Sequence, residues 1–550
     1  MASLDAKELA NLDKQTLITL LISSNEALEK LQLQVSDLNK TISVLTEEVH
    51  GLRAWRFGRS SEKNIVENNG YYQYSLFVNE DEVNVDLHPD MQEPELEEIC
   101  PKPYVRGKKT KGKRAEDLKD LPVTVIEHTL PEEKLLEAFP DGKWKRLPDE
   151  TYSKLVFHPA SFAVEEHHIA VYAGHGDKDV VRADHPKELI DKSIASASLV
   201  AGIANAKFIN SQPTNRVAQE FERMDVSIPT QNLSRWLIIA SDRYISRLYF
   251  HIKAMLAECH VVHADETPVE VNRDGRPAGT NSYMWVYRSG PYEPNPFILY
   301  DFQKTRKTDH PREFLKDFKG VCVTDGYQVY HSIADDREDL IIAGCWVHAR
   351  RKFADVVKAL TKEQKQQESF KESTANKALG LIRTINGHEK EISSKPPEER
   401  LEIRKTVVTP LVDAFFAYLK KESWKVAPKS ATGKAITYCL NQEKYLRVFL
   451  TDPYVPFDNN AAERSIRPFC LGKKNWYVID TISGAQSTAV WYSIAETAKA
   501  NNLKPYEYFK YLLEELPQHG EYEDLSYLDD LLPWSEALPE KCREPAESAK

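Results

Sequence analysis

The sequence predicts a multidomain α/β chain: an N-terminal coiled coil, a small β-rich module, a helix-turn-helix segment, a strand-rich segment and C-terminal helices. Three observations lead there. Apolar residues near the N-terminus repeat every 3.5 positions, two helical patterns flank a short turn within residues 213–249, and from Cys259 apolar runs alternate with Gly-, Pro- and Asn-rich turns. The 550 residues suit three or four domains at roughly 150 residues each. An apolar fraction of 41% with 29% charged residues supports a sizeable core and excludes a disordered or fibrous chain. No apolar stretch approaches the ~18 residues of a membrane span. The start, MASLDAKEL, is acidic and has no apolar signal region, and the seven cysteines form no CxxC pair. The expectation is a cytoplasmic protein in a reducing compartment, without a cysteine-based zinc site and without a membrane partner.

In the first segment, residues 1–63, Leu28, Leu31, Val35, Leu38, Ile42, Leu45, Val49 and Leu52 step alternately by three and four. This is a leucine-zipper-like pattern, which predicts a coiled coil and self-association into a homo-oligomer. An amphipathic helix packed on its own domain is the plainer alternative. RAWRFGRSSEK follows, basic and aromatic together. Residues 64–120 read as a linker: Leu76 to Ile99 holds nine acids and no Lys or Arg, and Lys102 to Arg114 holds seven cations and no acid. The net charge of −11 therefore hides a basic run, with Lys108 and Lys109 in it, that suits phosphate contacts.

Residues 121–190 read as short strands and turns. Their histidines, His158, His167, His168 and His175, match no familiar ligand spacing, and zinc is not expected. His167 and His168, adjacent on an expected strand, would face opposite ways. Residues 191–250 read as helices: PTNRVAQEFERM, a turn through Asp225–Ile228, then PTQNLSRWLIIASDRYISRLY with Pro229 at its first turn. Gln231, Asn232 and Arg235 lie near the N-terminal end of the second helix, the end that helix-turn-helix proteins present to the major groove. Such geometry also occurs without DNA.

From Cys259 the strands HVVHAD, SYMWVYR, FILYDF, GVCVTD and LIIAGCW succeed one another, with a short helix, HPREFLKDF, before the fourth. Asp265 and Asp325 end two of them. Carboxylates at neighbouring strand ends can converge on a hard divalent cation such as Mg²⁺. Asp301 ends a strand too and reads as a turn residue. Glu463 in DNNAAERSIRPF is the third acid; on a bland reading it pairs with Arg467, worth about 0.3–0.5 kcal/mol. Arg464, Arg467, Lys473 and Lys474 surround it without an intervening acid, beside Trp476 and Tyr477, which suits a metal-and-phosphate site.

The motifs HADETPVEV, VTDGYQVY, AGCWVHARRKF and DNNAAERSIRPFCLGKKNW, followed by GAQSTAVWYSIAETAKANNLKPYEYFKYLL, closely resemble the transposases of the insertion sequence 66 family, in that family's order. The zipper, helix-turn-helix and C-terminal helices are similar to its layout. The resemblance implies an RNase H-like catalytic domain over 251–480, with a helical insertion at about 358–451 and a C-terminal part at 481–550. It implies a DDE triad of Asp265, Asp325 and Glu463 holding Mg²⁺ (or Mn²⁺). Residues 121–190 stand where the family carries a cysteine-rich zinc module, but they contain no cysteine.

On this reading the chain cuts the 3′ ends of a bacterial insertion sequence and joins them to target DNA by two-metal phosphoryl transfer. Its partners are double-stranded DNA and small accessory proteins encoded with the element, and its location is cytoplasmic, on the nucleoid when DNA-bound. Arg464, Arg467, Lys473 and Lys474 are the expected phosphate contacts, with His348, Arg350 and Arg351 after the fifth strand also in reach. A catalytically silent DNA-binding regulator, or a metal-dependent nuclease without strand transfer, are the alternatives.

Overall fold

A computed structural model of the chain describes residues 161–173, 180–184, 187–277, 279–360, 372–520 and 524–545. It also describes Gln15, Ile22, Asn25, Glu26, Glu29, Lys30, Gln32 and Gln34, all helical and exposed. The apolar zipper positions, the linker with Lys108 and Lys109, and His158 and His175 lie outside the described residues. The chain divides into two compact units, Phe77–Ala163 and the remainder; of the former only 161–163 are described, exposed and without regular structure.

In the larger unit, β1 (Val171–Ala173) pairs antiparallel with β2 (Val180–Arg182). The strand expected through His167 and His168 does not form: residues 161–170 have no regular structure and almost all are exposed, so no buried face holds them extended. The two imidazoles lie instead beside Glu165 and Glu166, at 4.0 and 3.4 Å.

Helix α1 (Ala197–Ala204) starts at Ser196, whose Oγ accepts the Leu199 N–H at 3.2 Å. The pair α2 (Thr214–Arg223) and α3 (Thr230–Ala240) follows, with Asp225 in the turn at a left-handed φ of 61°. Pro229 caps α3 from outside rather than entering its first turn. Leu233, Trp236, Leu237 and Ala240 are buried, which leaves Gln231, Asn232 and Arg235 exposed at the N-terminal end. A wider turn at Ser241–Ile245 leads into α4 (Ser246–Ala254).

The main sheet contains β3 (Val261–Arg273), β4 (Asn281–Ser289), β5 (Ile298–Gln303), β6 (Gly320–Thr324), β7 (Leu340–Gly344) and β8 (Val478–Thr481). Its order is β5-β4-β3-β6-β7; β3, β4 and β5 are antiparallel neighbours, and β6 and β7 run parallel to β3. Strand β3 is longer than HVVHAD because the buried positions Thr267, Val269 and Val271 continue its alternation. One side of β3 pairs with β6 only over Val261–His263 and with β8 only over Glu270–Arg273. Between them lies an unpaired stretch, which is where Pro268, lacking an N–H, is tolerated.

The strands alternate between two cores. Val262, Cys322 and Ile342 join a cluster with α1, α3, α4 and the C-terminal helices α13 (Ile482–Ala500) and α14 (Pro505–Glu515). Helix α13 covers the edge of β5: Ser493 and Thr497 hydroxyls accept the backbone N–H groups of Tyr300 and Ile298 at 2.7 and 2.9 Å. An open edge would otherwise present those donors to another strand. Val261, Val321, Val323 and Ala343 face the second cluster, built with α7 (Trp346–Lys358), α8 (Thr374–Ile392), α10 (Thr409–Ser423) and α11 (Ala431–Asn441). The short helices α5 (Asp309–Phe314) and α6 (Gln328–Asp335) precede these, and α9 (Pro397–Ile403) leads into α10. Among the described residues no helix is long and apolar enough to cross a membrane.

One polar link stands inside the second cluster. Arg404, 2% exposed, donates to both Glu389 carboxylate oxygens and to the Phe449 and Asp452 carbonyls, the last two at 2.7 Å. Glu389→Ala leaves that buried guanidinium its two carbonyl acceptors but no countercharge, and should cost about 3–5 kcal/mol. Urea unfolding should show it as an earlier transition. The double variant Glu389→Leu, Arg404→Met should recover most of the loss; equal loss in both would mean that the pair's charge is not what matters.

Candidate active site

The register of β3 and β6 pairs His263 with Val323. Two residues further on, Asp265 and Asp325 therefore stand side by side on the face that carries Val261 and Val323, the face of the second cluster. Asp265 Oδ1 accepts the Glu266 N–H at 2.9 Å, and Asp325 Oδ1 accepts the Tyr327 N–H at 2.9 Å. The turn after Asp325 needs Gly326: its φ is +92°, and a Cβ there would lie 3.0 Å from Tyr438 Oη. That hydroxyl, from α11, donates to the Asp325 carbonyl at 3.0 Å.

Glu463 arrives on α12 (Asn460–Trp476), which lies over the unpaired stretch of β3. Side chains replace the missing strand partner. Asn459 Nδ2 donates to the Ala264 carbonyl at 2.9 Å, and Lys473 Nζ donates to the Pro268 carbonyl at 2.8 Å. Asn459 Oδ1 accepts from His263 Nδ1 at 2.8 Å, its N–H reaches Cys345 Sγ at 3.2 Å, and its carbonyl accepts the Glu463 N–H at 3.2 Å. Asn459 and His263 are both buried, and burial pushes the imidazole pKa down to about 4, so it is a neutral donor. One amide thus ties β3, the end of β7 and the first turn of α12 together, one residue from Asp265 and one helical turn from Glu463.

Glu463 is 6% exposed. His348 Nδ1 stands 3.6 Å from its Oε1 and Arg351 Nη2 3.8 Å from its Oε2, yet Oε1 has no hydrogen-bond partner. Burial raises its pKa to about 7; Arg351 and Arg467 oppose the rise, and the charges of Asp458 and Asp325 add to it. Asp265 is held well above the usual carboxylate range, by burial first and then by the charges of Glu266, Asp325 and Glu463. The structure therefore brings Asp265, Asp325 and Glu463 within electrostatic reach of one another, in a setting where a divalent cation would relieve both burial and repulsion.

Asp301 is elsewhere. Its cross-strand partner is Trp285, which in turn pairs with Glu266, so it occupies the opposite face from Asp265. Glu266 is a fourth acid that the sequence reading passed over. Arg306 grips it, Tyr330 Oη donates to it at 3.3 Å, and the guanidinium lies 3.7 Å from the Tyr327 ring centroid. Strand alternation after Asp265 was the available signal. Asn459 was missed as well; beside a helix start it reads as an ordinary cap.

The expected phosphate contacts are dispersed. Arg464 and Lys474 are exposed on α12, and Arg467 is half-buried near Glu463. Lys473 lies against the Pro268 carbonyl. His348 and Arg351, on the first and second turns of α7, point to Glu463 rather than outward, because the thirteen-residue helix starts directly at the end of β7. Arg350 is half-buried, and Gln231, Asn232 and Arg235 are exposed on α3.

A sequence profile described as "Transposase IS66 family" matches residues 192–487, more than half of the chain. The chain belongs to this family. Its "IS66 C-terminal element" matches residues 493–534, and a profile described as "Transposase C of IS166 homeodomain" matches 44–126. Three proteins of Sinorhizobium fredii are similar to this family member. "Uncharacterized protein y4qI" is 28% identical over 374 residues, 66% of this chain and 67% of its own length. "Uncharacterized protein y4jD" is 27% identical over 406 residues, 72% and 76% respectively. "Uncharacterized protein y4hP" is 26% identical over 359 residues, 64% of each. The matched family region spans β3, β6 and the whole of α12, and so includes all three acids.

Asn459→Ala leaves His263 Nδ1 and the Ala264 carbonyl unpaired, each costing about 1–3 kcal/mol; thermal unfolding should shift down accordingly, and an unchanged midpoint would remove the amide's structural role. The raised Glu463 pKa stabilises the metal-free fold below its ordinary value of 4.5, and that contribution is lost as pH rises through about 7. The loss is roughly 3 kcal/mol. Metal-free Glu463→Gln should therefore be more stable than the native chain near ~pH 8, by thermal unfolding in a chelator; a less stable variant would refute the burial argument.

Proposed function

We propose that this transposase-family chain is a DDE transposase that cleaves the 3′ ends of an insertion sequence and transfers them to target DNA. The observation that carries the reading is that Asp265 on β3, Asp325 just after β6 and Glu463 on α12 lie close enough for the charges of Asp325 and Glu463 to raise the Asp265 pKa and that of Asp325 to raise the Glu463 pKa, with Glu463 Oε1 buried and unpartnered. The sheet supports it: three antiparallel strands followed by two parallel ones, with Asp265 on the central strand, suit an RNase H-like fold.

Asp265, Asp325 and Glu463 would hold Mg²⁺ or Mn²⁺; their oxygen donors suit hard cations, and their mutual repulsion disfavours the site without one. Bound there, the ions would lower the pKa of the attacking water and neutralise charge on the leaving oxygen. Water would attack the scissile phosphorus and the bond to the 3′ oxygen would break, leaving a 3′-hydroxyl and a 5′-phosphate; the 3′-hydroxyl would then attack a target phosphorus, losing its proton as the target's own P–O3′ bond breaks and frees a target 3′-hydroxyl. Exposed Arg464 and Lys474 on α12 would contact phosphates beside the acids, and Arg467 would limit repulsion between Glu463 and the DNA. The N-terminal end of α3, with Gln231, Asn232 and Arg235, would read the element ends, and Lys108 and Lys109 would add backbone affinity. Pairing of protomers through the zipper would let two ends be held together.

The test uses purified protein, DNA carrying the element's own ends, the accessory proteins and Mg²⁺ or Mn²⁺, with Asp325→Ala and Glu463→Gln alongside. Cleavage at the 3′ ends should vanish in both variants and in excess chelator, while DNA binding survives and weakens steeply with salt. Joined products make it a transposase; cleavage without joining favours the nuclease reading. Binding with no cleavage by any protein favours the silent regulator, and equal cleavage by Asp325→Ala removes that residue from the site.

A further inference from the structure

Cys345 ends β7 and caps α7 with extended backbone, ψ 117°. Its thiol is 1% exposed and accepts the Asn459 N–H. His348 follows three residues later, one helical turn on, so thiol and imidazole share a side of the helix. Glu463 faces them from α12. One donor atom from each of Cys345, His348 and Glu463 lies within 4.8 Å of the other two. Two of these atoms, His348 Nδ1 and Glu463 Oε1, are buried without hydrogen-bond partners although only 3.6 Å separates them. Orphaned polar atoms are costly inside a protein, and a cation between them satisfies both.

The donor set decides which cation. Thiolate and imidazole select Zn²⁺ and its analogues, whereas Mg²⁺ wants oxygen and keeps its water. Three protein ligands also leave a fourth position open, as in accessible zinc sites. We propose that Cys345, His348 and Glu463 form an inhibitory site for a thiophilic divalent cation such as Zn²⁺, which withdraws Glu463 from the carboxylate triad. The binding site stands on its own geometry; only the inhibition rests on the transposase reading.

Binding has a defined proton balance. The thiol proton, and the proton on Glu463 where the carboxyl is protonated, leave to solvent as the metal–sulfur and metal–oxygen bonds form. Arg351 Nη1 now lies 3.3 Å from His348 Nε2, which places the imidazole proton on Nδ1. Ligation at Nδ1 moves that proton to Nε2, so Arg351 must turn away. Its side chain is 27% exposed, which gives it solvent to turn into. The Asn459 N–H stays on the sulfur and supports the thiolate, in the manner of the outer hydrogen bonds that tune metal ligands.

The experiment titrates metal-free full-length protein with Co²⁺ as the probe. One equivalent should give thiolate-to-cobalt absorption with tetrahedral d–d bands. The bands should be lost in Cys345→Ser and His348→Ala, and Arg351→Ala should bind about tenfold more tightly. Zn²⁺ should displace the cobalt and inhibit Mg²⁺-dependent end cleavage, whereas Cys345→Ser should cleave and resist the inhibition. Cobalt bands that persist in Cys345→Ser, or a native chain with no thiolate band, overturn the site; Arg351→Ala, which removes no ligand, keeps the test valid if the serine variant misfolds. Cobalt binding with inhibition undiminished in Cys345→Ser overturns the link to Glu463. Absence of cleavage before any zinc is added counts against the transposase reading and leaves the cobalt result to decide the site.

Discussion

The Asn459 amide crosses the place where the sheet is incomplete, and the geometry of the site depends on it. Strand β3 has no strand partner on one side between its pairings with β6 and β8, so its carbonyls there need donors from elsewhere. Asn459 supplies one to Ala264 and Lys473 supplies another to Pro268, from opposite ends of the same stretch. A helix docked by two side-chain bonds to one strand cannot slide along it without breaking both. That fixes the height of Glu463 against Asp265, while the β3–β6 register separately fixes Asp325. Three acids from distant parts of the chain are placed by backbone geometry rather than by contacts among themselves.

The helices between α7 and α12 contribute to the same placement. Trp346 stacks on Phe457 at 5.3 Å and donates to the Leu446 carbonyl at 2.8 Å, which joins the end of β7 to the segment leading into α12. Tyr438 reaches from α11 to the Asp325 carbonyl. The helices between α7 and α12 are therefore packed beside the three acids, and the second apolar cluster holds both the start of α7 and the approach to α12. The Arg404 fork has the same logic at greater distance: by binding the Phe449 and Asp452 carbonyls it anchors the chain just before that approach.

Much of this was legible in the residues, and the failures have physical causes. The five strands announced themselves because they are buried on both faces and so read as apolar runs between turn residues. Asp325 was visible as a strand-end acid; Asp265 was expected to end its strand too, but β3 runs on to Arg273 and places it mid-strand, and Asp301 was separable only through the register, which composition does not reveal. Glu463 stood out through the motif around it, since a helical Glu four residues before an Arg is otherwise unremarked. Asn459 was illegible for a different reason: its partners, His263 and Ala264, are remote in sequence, and local pattern carries no record of such pairs. His167 and His168 failed in the opposite direction. Their neighbours have strand-like composition, but strands persist only where another surface covers one face.

Glu463 is the residue on which two chemistries meet. Toward β3 it joins carboxylates, a hard environment that suits Mg²⁺; toward α7 it meets a thiol and an imidazole, a soft one. Arg351 holds the soft side closed by accepting no metal and by keeping the His348 proton where a ligand bond would form. The affinity order of divalent ions favours zinc over magnesium at almost any nitrogen or sulfur donor, so a carboxylate shared between such sets cannot be indifferent to trace metals. Protection has to come from geometry: a buried thiol, a misplaced proton and a guanidinium that must move first. These are kinetic and energetic barriers set by the first two turns of α7, and they stand on the same Asn459 that positions the acids, because its N–H also holds the Cys345 sulfur.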